Sequence, residues 1–204
     1  MKSTFKMPMT RWCVAGLGLF LILTMNSRGN AVPAPKDTVQ GLLESIEILS
    51  QSPKGSPDTA AVSRISQMMD IAGVSKSCLG SHWVKLPPNE QKAFARLFQE
   101  VLEKVAYPKS AKFFKDTKIE IGEASAQNTK ARVLTTVTHP KEGIVEVEYE
   151  LQLVNEKWLI QDVLLDGVSL VQDLRAQMQK IIKEKSYEEL KRKLNDKLKD
   201  ETAS

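Results

Sequence analysis

The chain is poor in the groups that most reaction chemistry needs. It carries two cysteines and two histidines in 204 residues, and His82, His139 and one cysteine outside the leader make no metal site of recognisable spacing. Ten glycines are scattered singly, so no glycine-rich phosphate loop is present. Ser169, His139 and Asp162 supply the residue types of a hydrolytic triad. However, Gly167-Val168-Ser169 lacks the flanking glycine of a nucleophile elbow and His139 falls in a turn. The expectation is a chain with no catalytic residues, no metal and no cofactor.

An excess of positive charge is also missing once the N-terminus is set aside. Lys2, Lys6 and Arg11 precede an uncharged apolar run, Cys13 to Met25, and Gly29-Asn30-Ala31 offers small residues at a cleavage site. Residues 1–31 therefore read as a secretory signal peptide, too short for a membrane span, and residues 32–204 as a single domain. An uncleaved anchor is the alternative, because Arg28 sits near the cut. Cys13 opens the apolar run and does not follow it, unlike a lipidation cysteine. Removing the leader takes four basic residues and no acidic one, so Lys+Arg falls from 29 to 25 against 25 Asp+Glu. A neutral chain gives no argument for nucleic-acid binding. Cys78 is then the only cysteine, which excludes an internal disulfide and leaves stability to the packed core.

What is present is periodicity. Val39, Leu42, Leu43, Ile46 and Leu49 form a helical stripe, with Asp37 or Thr38 as its cap. After the Ser/Pro/Gly-rich stretch from Ser50 to Pro57, Asp58 or Thr59 opens a second helix bearing Val62, Ile65, Met68, Met69 and Ile71. Gly73 to Gly80 reads as a short helix between two glycine stops. Pro88 suits the first position of the next helix, whose stripe is Phe94, Leu97, Phe98, Val101, Leu102 and Val105, and Tyr107-Pro108 is expected to end it. From Lys118 the period drops to two. Ala131, Val133, Thr135 and Val137 share one face, as do Val145, Val147, Tyr149, Leu151 and Leu153, opposite Glu146, Glu148 and Glu150. Hairpin-length connections at His139–Gly143 and Asn155–Lys157 make an antiparallel meander.

The stretch Trp158 to Arg175, WLIQDVLLDGVSLVQDLR, organises the rest. Strict alternation puts Trp158, Ile160 and Leu164 on one face and Leu159, Val163 and Leu165 on the other, so neither face suits water. Asp166-Gly167 punctuates it, and a helix from Val168 or Ser169 to about Lys185 comes next. Ser186-x-x-Glu189 has capping-box spacing and starts a last helix with Leu190, Leu194 and Leu198. The fold class is α+β: a curved antiparallel sheet of about four strands with N- and C-terminal helices packed over it, enclosing an apolar cavity. Two accounts of the charges beside the strand-to-helix junction stay open. Either Asp166 caps the helix and Arg175 pairs with a carboxylate, or Arg175 meets an anionic headgroup at a pocket mouth.

The motif order resembles the MlaC (toluene-tolerance) family of periplasmic phospholipid-binding proteins. The residues carrying the likeness are Asp70-Ile71, Leu79-Gly80-Ser81-His82-Trp83, Glu90-Gln91 with Phe94, Phe98, Leu102 and Tyr107, then Trp158, Asp162-Val163, Gly167 to Val171, Arg175 and Ile181-Ile182. Asp173-Leu174 departs from the family's more usual Asn-Tyr before the arginine. The resemblance implies a carrier, not an enzyme, that shields the acyl tails of a phospholipid. It would work between an outer-membrane lipoprotein complex and an inner-membrane ABC transporter with an MCE-domain ring. A hopanoid or other polycyclic lipid is the alternative cargo. Two tails of about fifteen methylenes, at about 0.8 kcal/mol each, put on the order of 20 kcal/mol against crossing water unshielded.

By face pattern, the expected pocket lining is Phe94, Phe98, Val101, Leu102, Val133, Val145, Val147, Tyr149 and Ile160, with Arg175 at the mouth; the same residues would equally fill a solid core. No heptad seam or exposed apolar helix calls for a dimer, so a monomer is expected. From other classes, a cone-fold isomerase or dehydratase would need a carboxylate or histidine converging in the cavity, and an adaptor would bridge membrane complexes around an empty, collapsed core.

Overall fold

A computed structural model of the protein describes residues 32–53 and 56–202, with side chains to residue 200. The signal-peptide reading concerns residues outside that set. Helix α1 spans Pro35–Ser50. It starts ahead of the expected cap: Pro35 takes the first position, and Asp37 lies in the first turn, where its carboxylate accepts from the Ala34 N–H at 3.0 Å. The proline lacks a donor the helix could not have used there, and the carboxylate meets the positive helix end. Asp58 caps α2 (Thr59–Met68) as expected, accepting from the Ala61 N–H at 2.7 Å.

The next helix differs from the expectation. Met69 turns extended and Asp70 caps α3 (Ile71–Leu79), so Ile71 opens α3 and does not continue α2. The Asp70 carboxylate accepts from the Gly73 N–H at 2.9 Å. Gly73 is therefore a first-turn residue with no room for a side chain, because a Cβ would stand 2.1 Å from Asp70 Oδ2. Gly80, at φ +52, ends α3 and leads into a 3-10 turn over Gly80–Lys85.

Helix α4 runs Pro88–Val101 and does not stop at Tyr107-Pro108. A π-helical turn, Leu102–Ala106, joins it to α5, Tyr107–Phe114, with the Tyr107 N–H bonded to the Leu102 carbonyl five residues back. The wider turn lets the chain carry a proline directly after it, since Pro108 neither supplies an N–H nor clashes with a tightly wound preceding turn.

The sheet has five antiparallel strands in sequence order, β1 (Lys118–Gln127), β2 (Lys130–His139), β3 (Gly143–Val154), β4 (Lys157–Leu165) and β5 (Val168–Ser169). The added strand explains two departures. Asp166 and Gly167, at φ +46 and +81, form the left-handed two-residue turn that a tight hairpin needs, so Asp166 does not cap the helix. Ser169 does, accepting from the Gln172 N–H at 2.9 Å, and α6 runs Leu170–Glu184. Helix α7, Tyr187–Thr202, is the last element of the described residues, with Ser186 accepting from the Glu189 N–H.

Strand β4 contains a bulge that strict alternation cannot anticipate. Glu150 pairs with Asp162 but Leu151 pairs with Ile160, leaving Gln161 as the extra residue. The bulge reverses the facing of the residues beyond it. Trp158 and Ile160 point inward, and past the bulge so do Val163 and Leu165, which pack on the same core. Leu164 thus leaves the face assigned to it. Gln161 turns its amide to Asp70 at 2.8 Å, and the Asp70 N–H donates to the Ile160 carbonyl at 2.9 Å. Short β5 pairs only with Leu164 and Leu165, so the earlier part of β4 would be an open edge. Met69, bridged to Ile160, and the Thr38 hydroxyl, donating to the Trp158 carbonyl at 3.3 Å, cover it.

Candidate functional site

Two apolar clusters divide the interior. The first stands on the inner sheet face, where Val133, Val137, Val147 and Ile160 are wholly buried and Tyr149 nearly so, roofed by α1, α2 and α5 through Leu42, Ile46, Ile65, Tyr107 and Ala111. Its margin is looser: Val62, Met68, Met69, Leu102, Phe114, Val145 and Leu153 are half-buried around it. Gly41 on α1 makes room for one of these, since a Cβ there would lie 3.3 Å from the Met68 sulfur. A helix-interior glycine costs about 1 kcal/mol against alanine, and here it admits an unbranched, adaptable side chain.

The second cluster contains Phe94, Phe98, Val74, Cys78, Leu79, Met178 and Leu190, from α3, α4, α6 and α7. The expected lining therefore separates. Val133, Val147, Tyr149 and Ile160, with Val145 at the margin, stay together on the sheet, whereas Phe94 and Phe98 pack among helices. Leu102, in the π turn, packs against both clusters. Val101 is half-buried and Arg175 lies exposed on α6, both outside the sheet cluster. The face pattern placed Phe94, Phe98, Val101 and Leu102 of α4 and the π turn in the lining. The roof is α1, α2 and α5, and their stripes look no different from any other amphipathic helix.

Chemically, the sheet cluster is neutral. Burial pushes the Tyr149 phenol far up, with the Thr135 side chain opposing, and pushes Tyr107 up to about 12. The inward hydroxyl of Thr135 is satisfied by the Val147 carbonyl at 3.2 Å. Such a surface can bury apolar matter, and its own polar groups are hydrogen-bonded and unionised near neutral pH. Cys78, in the second cluster, is an inert small residue. Burial, reinforced by the Asp162 carboxylate and opposed by Arg175, lifts its thiol to about 12.

The candidate triad divides as well. Ser169 donates to Asp162, whose carboxylate also accepts from the Val171 and Val163 N–H groups at 3.1 and 2.8 Å. His139 instead accepts from the Lys141 and Glu142 N–H groups with Nδ1 and stacks on Phe113. Asp162 and Ser169 are thus a helix cap joining β4 to α6. Replacing Asp162 with alanine should cost about 2 kcal/mol by leaving those donors without an acceptor, and Asp162→Asn should recover part of it in denaturant unfolding. Among the described residues no group of three or more His, Cys, Asp or Glu could hold a metal, and no helix is long and apolar enough to cross a membrane.

Residues 36–196 match the family described as MlaC protein. The chain belongs to the MlaC family. The MlaC resemblance read from the motif order is thereby established, and the match runs from α1 into α7, across both apolar clusters. A phospholipid-binding protein from Ralstonia solanacearum, solved in complex with a phospholipid, has the same fold: TM-score 0.65 at 18% identity, covering 84% of this chain and 98% of that one. A protein from Campylobacter jejuni described as an NTF2-like transpeptidase overlaps at TM-score 0.38 and 14% identity, covering 63% and 97% respectively, which carries no argument about this MlaC chain. No curated protein sequence matches it.

Proposed function

We propose that this chain is a soluble periplasmic carrier that holds lipid acyl tails between the inner face of the sheet and helices α1, α2 and α5. The observation that carries the proposal is the sheet cluster itself, a broad neutral apolar face bordered by half-buried residues, two of them methionines. A tail pocket needs dry apolar surface that can re-form around a flexible guest, and it needs no reactive group. Family membership and the phospholipid bound by the Ralstonia solanacearum protein support the same cargo class. In this role the chain works as a monomer. It takes lipid from, or gives it to, an outer-membrane lipoprotein complex and an inner-membrane ABC transporter with an MCE-domain ring.

Mass spectrometry of lipid extracted from the protein, purified from the periplasm without detergent, tests the proposal. Stoichiometric phospholipid is the expected result. A hopanoid in its place would keep the mechanism and change the cargo. A compact, stable protein free of lipid would overturn the carrier.

A further inference from the structure

The inner face of the sheet is not covered equally along its length. Directly paired residues on neighbouring strands share a face, and one row of such pairs crosses all five strands: Ile121, Thr135, Val147, Leu165 and Val168. Thr135 and Val147 in the middle are buried, Leu165 is half-buried, and Val168 is 55% exposed. Neighbouring strands lie about 4.8 Å apart, so apolar surface passes from full burial at Val147 to open solvent at Val168 within about 10 Å. Val163, paired with buried Tyr149 in the next row, is half-buried too. At the opposite margin β1 ends the inner face in half-buried Ile119 and Ile121 and in Ala124 and Ala126, which are exposed but small.

The side chain of Val168 takes no part in shaping its own segment. Asp166 and Gly167 make the turn before it and Ser169 caps the helix after it, and Val168 belongs to neither apolar cluster. Leu170, the next apolar residue, is 40% exposed and also lies outside both clusters. Among the described residues no other large apolar side chain on the inner face is exposed: Leu134 and Ile144 alternate onto the outer face, and the remaining exposed ones lie outside the sheet. A row that is dry in its middle and wet at one end gives a pocket a graded way in. An acyl tail sliding from Val168 past Leu165 to Val147 exchanges water for apolar contact step by step, with no need to lift α1, α2 or α5 off the sheet first.

We propose that acyl tails enter and leave the sheet cluster over Leu165 and Val168, at the β4–β5 margin. The entry path rests on the carrier function and adds to it a place where the lipid crosses the surface.

The test blocks the margin after the lipid is already in place. Cys78 is wholly buried with its thiol held protonated, so a cysteine introduced at the surface is the one a thiol reagent reaches. Three variants, Val168→Cys, Ile144→Cys and Ala126→Cys, are purified from the periplasm without detergent and modified with a bulky methanethiosulfonate, which leaves a mixed disulfide that dithiothreitol removes. Ile144 is exposed on the outer face and Ala126 on the inner face at the β1 margin, so they control for crowding and for the opposite exit. Each protein is mixed with vesicles of deuterated phosphatidylethanolamine and phosphatidylglycerol, and mass spectrometry of the re-isolated protein reads the replacement of its native lipid. The adduct on Val168→Cys should slow replacement at least tenfold, with full recovery on reduction, and the other two adducts should change it less than twofold. Undiminished exchange with the Val168→Cys adduct, equal slowing at all three positions, or slowing at Ala126→Cys alone overturns the entry path. Unmodified protein free of lipid overturns the carrier and the entry path with it; a lipid-bearing protein that ignores the Val168→Cys adduct overturns the entry path alone.

Discussion

Replacing Phe94 with alanine should lower unfolding stability by about 3–5 kcal/mol, the range for truncating a buried aromatic, and leave the lipid content of the folded protein unchanged. Phe94 has no exposed surface, stacks on Phe98 at 6.2 Å between ring centroids and also contacts the Tyr187 ring. Its truncation would open a void where α3, α4, α6 and α7 meet, far larger than a methyl group. The lipid half of the expectation rests on Phe94 belonging to the helical cluster. Urea unfolding monitored by circular dichroism measures the first quantity, and lipid quantification on the folded fraction the second. A folded Phe94→Ala protein stripped of lipid would mean that the tails reach into the helical cluster, and the assignment of the pocket to the sheet would fail.

Val147→Trp should act the other way, cutting bound lipid per folded protein at least tenfold while costing stability only the 1–3 kcal/mol typical of overpacking. Val147 lies on the central strand, wholly buried, between Thr135 on β2 and Leu165 on β4. An indole there projects from the middle of the inner face, into the space a tail would occupy. Val147→Ala is the companion, expected to lose stability through a small cavity and to keep its lipid. If folded Val147→Trp carries a full complement of lipid, the tails lie elsewhere.

The strands were the most legible part of the chain. Alternation in β2 and β3 is uninterrupted, and Ala131, Val133, Thr135, Val137, Val147, Tyr149 and Leu151 are all buried on the face their spacing assigns. Alternation fails in β4 because a bulge is an insertion in pairing and not in composition: nothing about Gln161 as a residue marks it as the extra one. The same limit hid the roof. A stripe such as Phe94-Phe98-Leu102 reports that a helix has an inside, but not which of two clusters it faces, since partner choice is set by how distant segments meet. Pro108 misled for a different reason. Its local rule is sound, and a π turn immediately before it meets that rule without breaking the helix.

The seal on β4 also bears on how the chain reaches its native state. The meander pairs neighbours along the sequence, so β1 to β5 can zip with short loop closures. The Trp158 carbonyl, however, waits for a hydroxyl 120 residues earlier, and Gln161 for a carboxylate 91 residues earlier. Helices α1 and α2 emerge first during synthesis yet cannot dock until the last strands exist. In the interval the inner face and the edge of β4 are both open, and that half-assembled sheet is the species most prone to pair with another copy of itself.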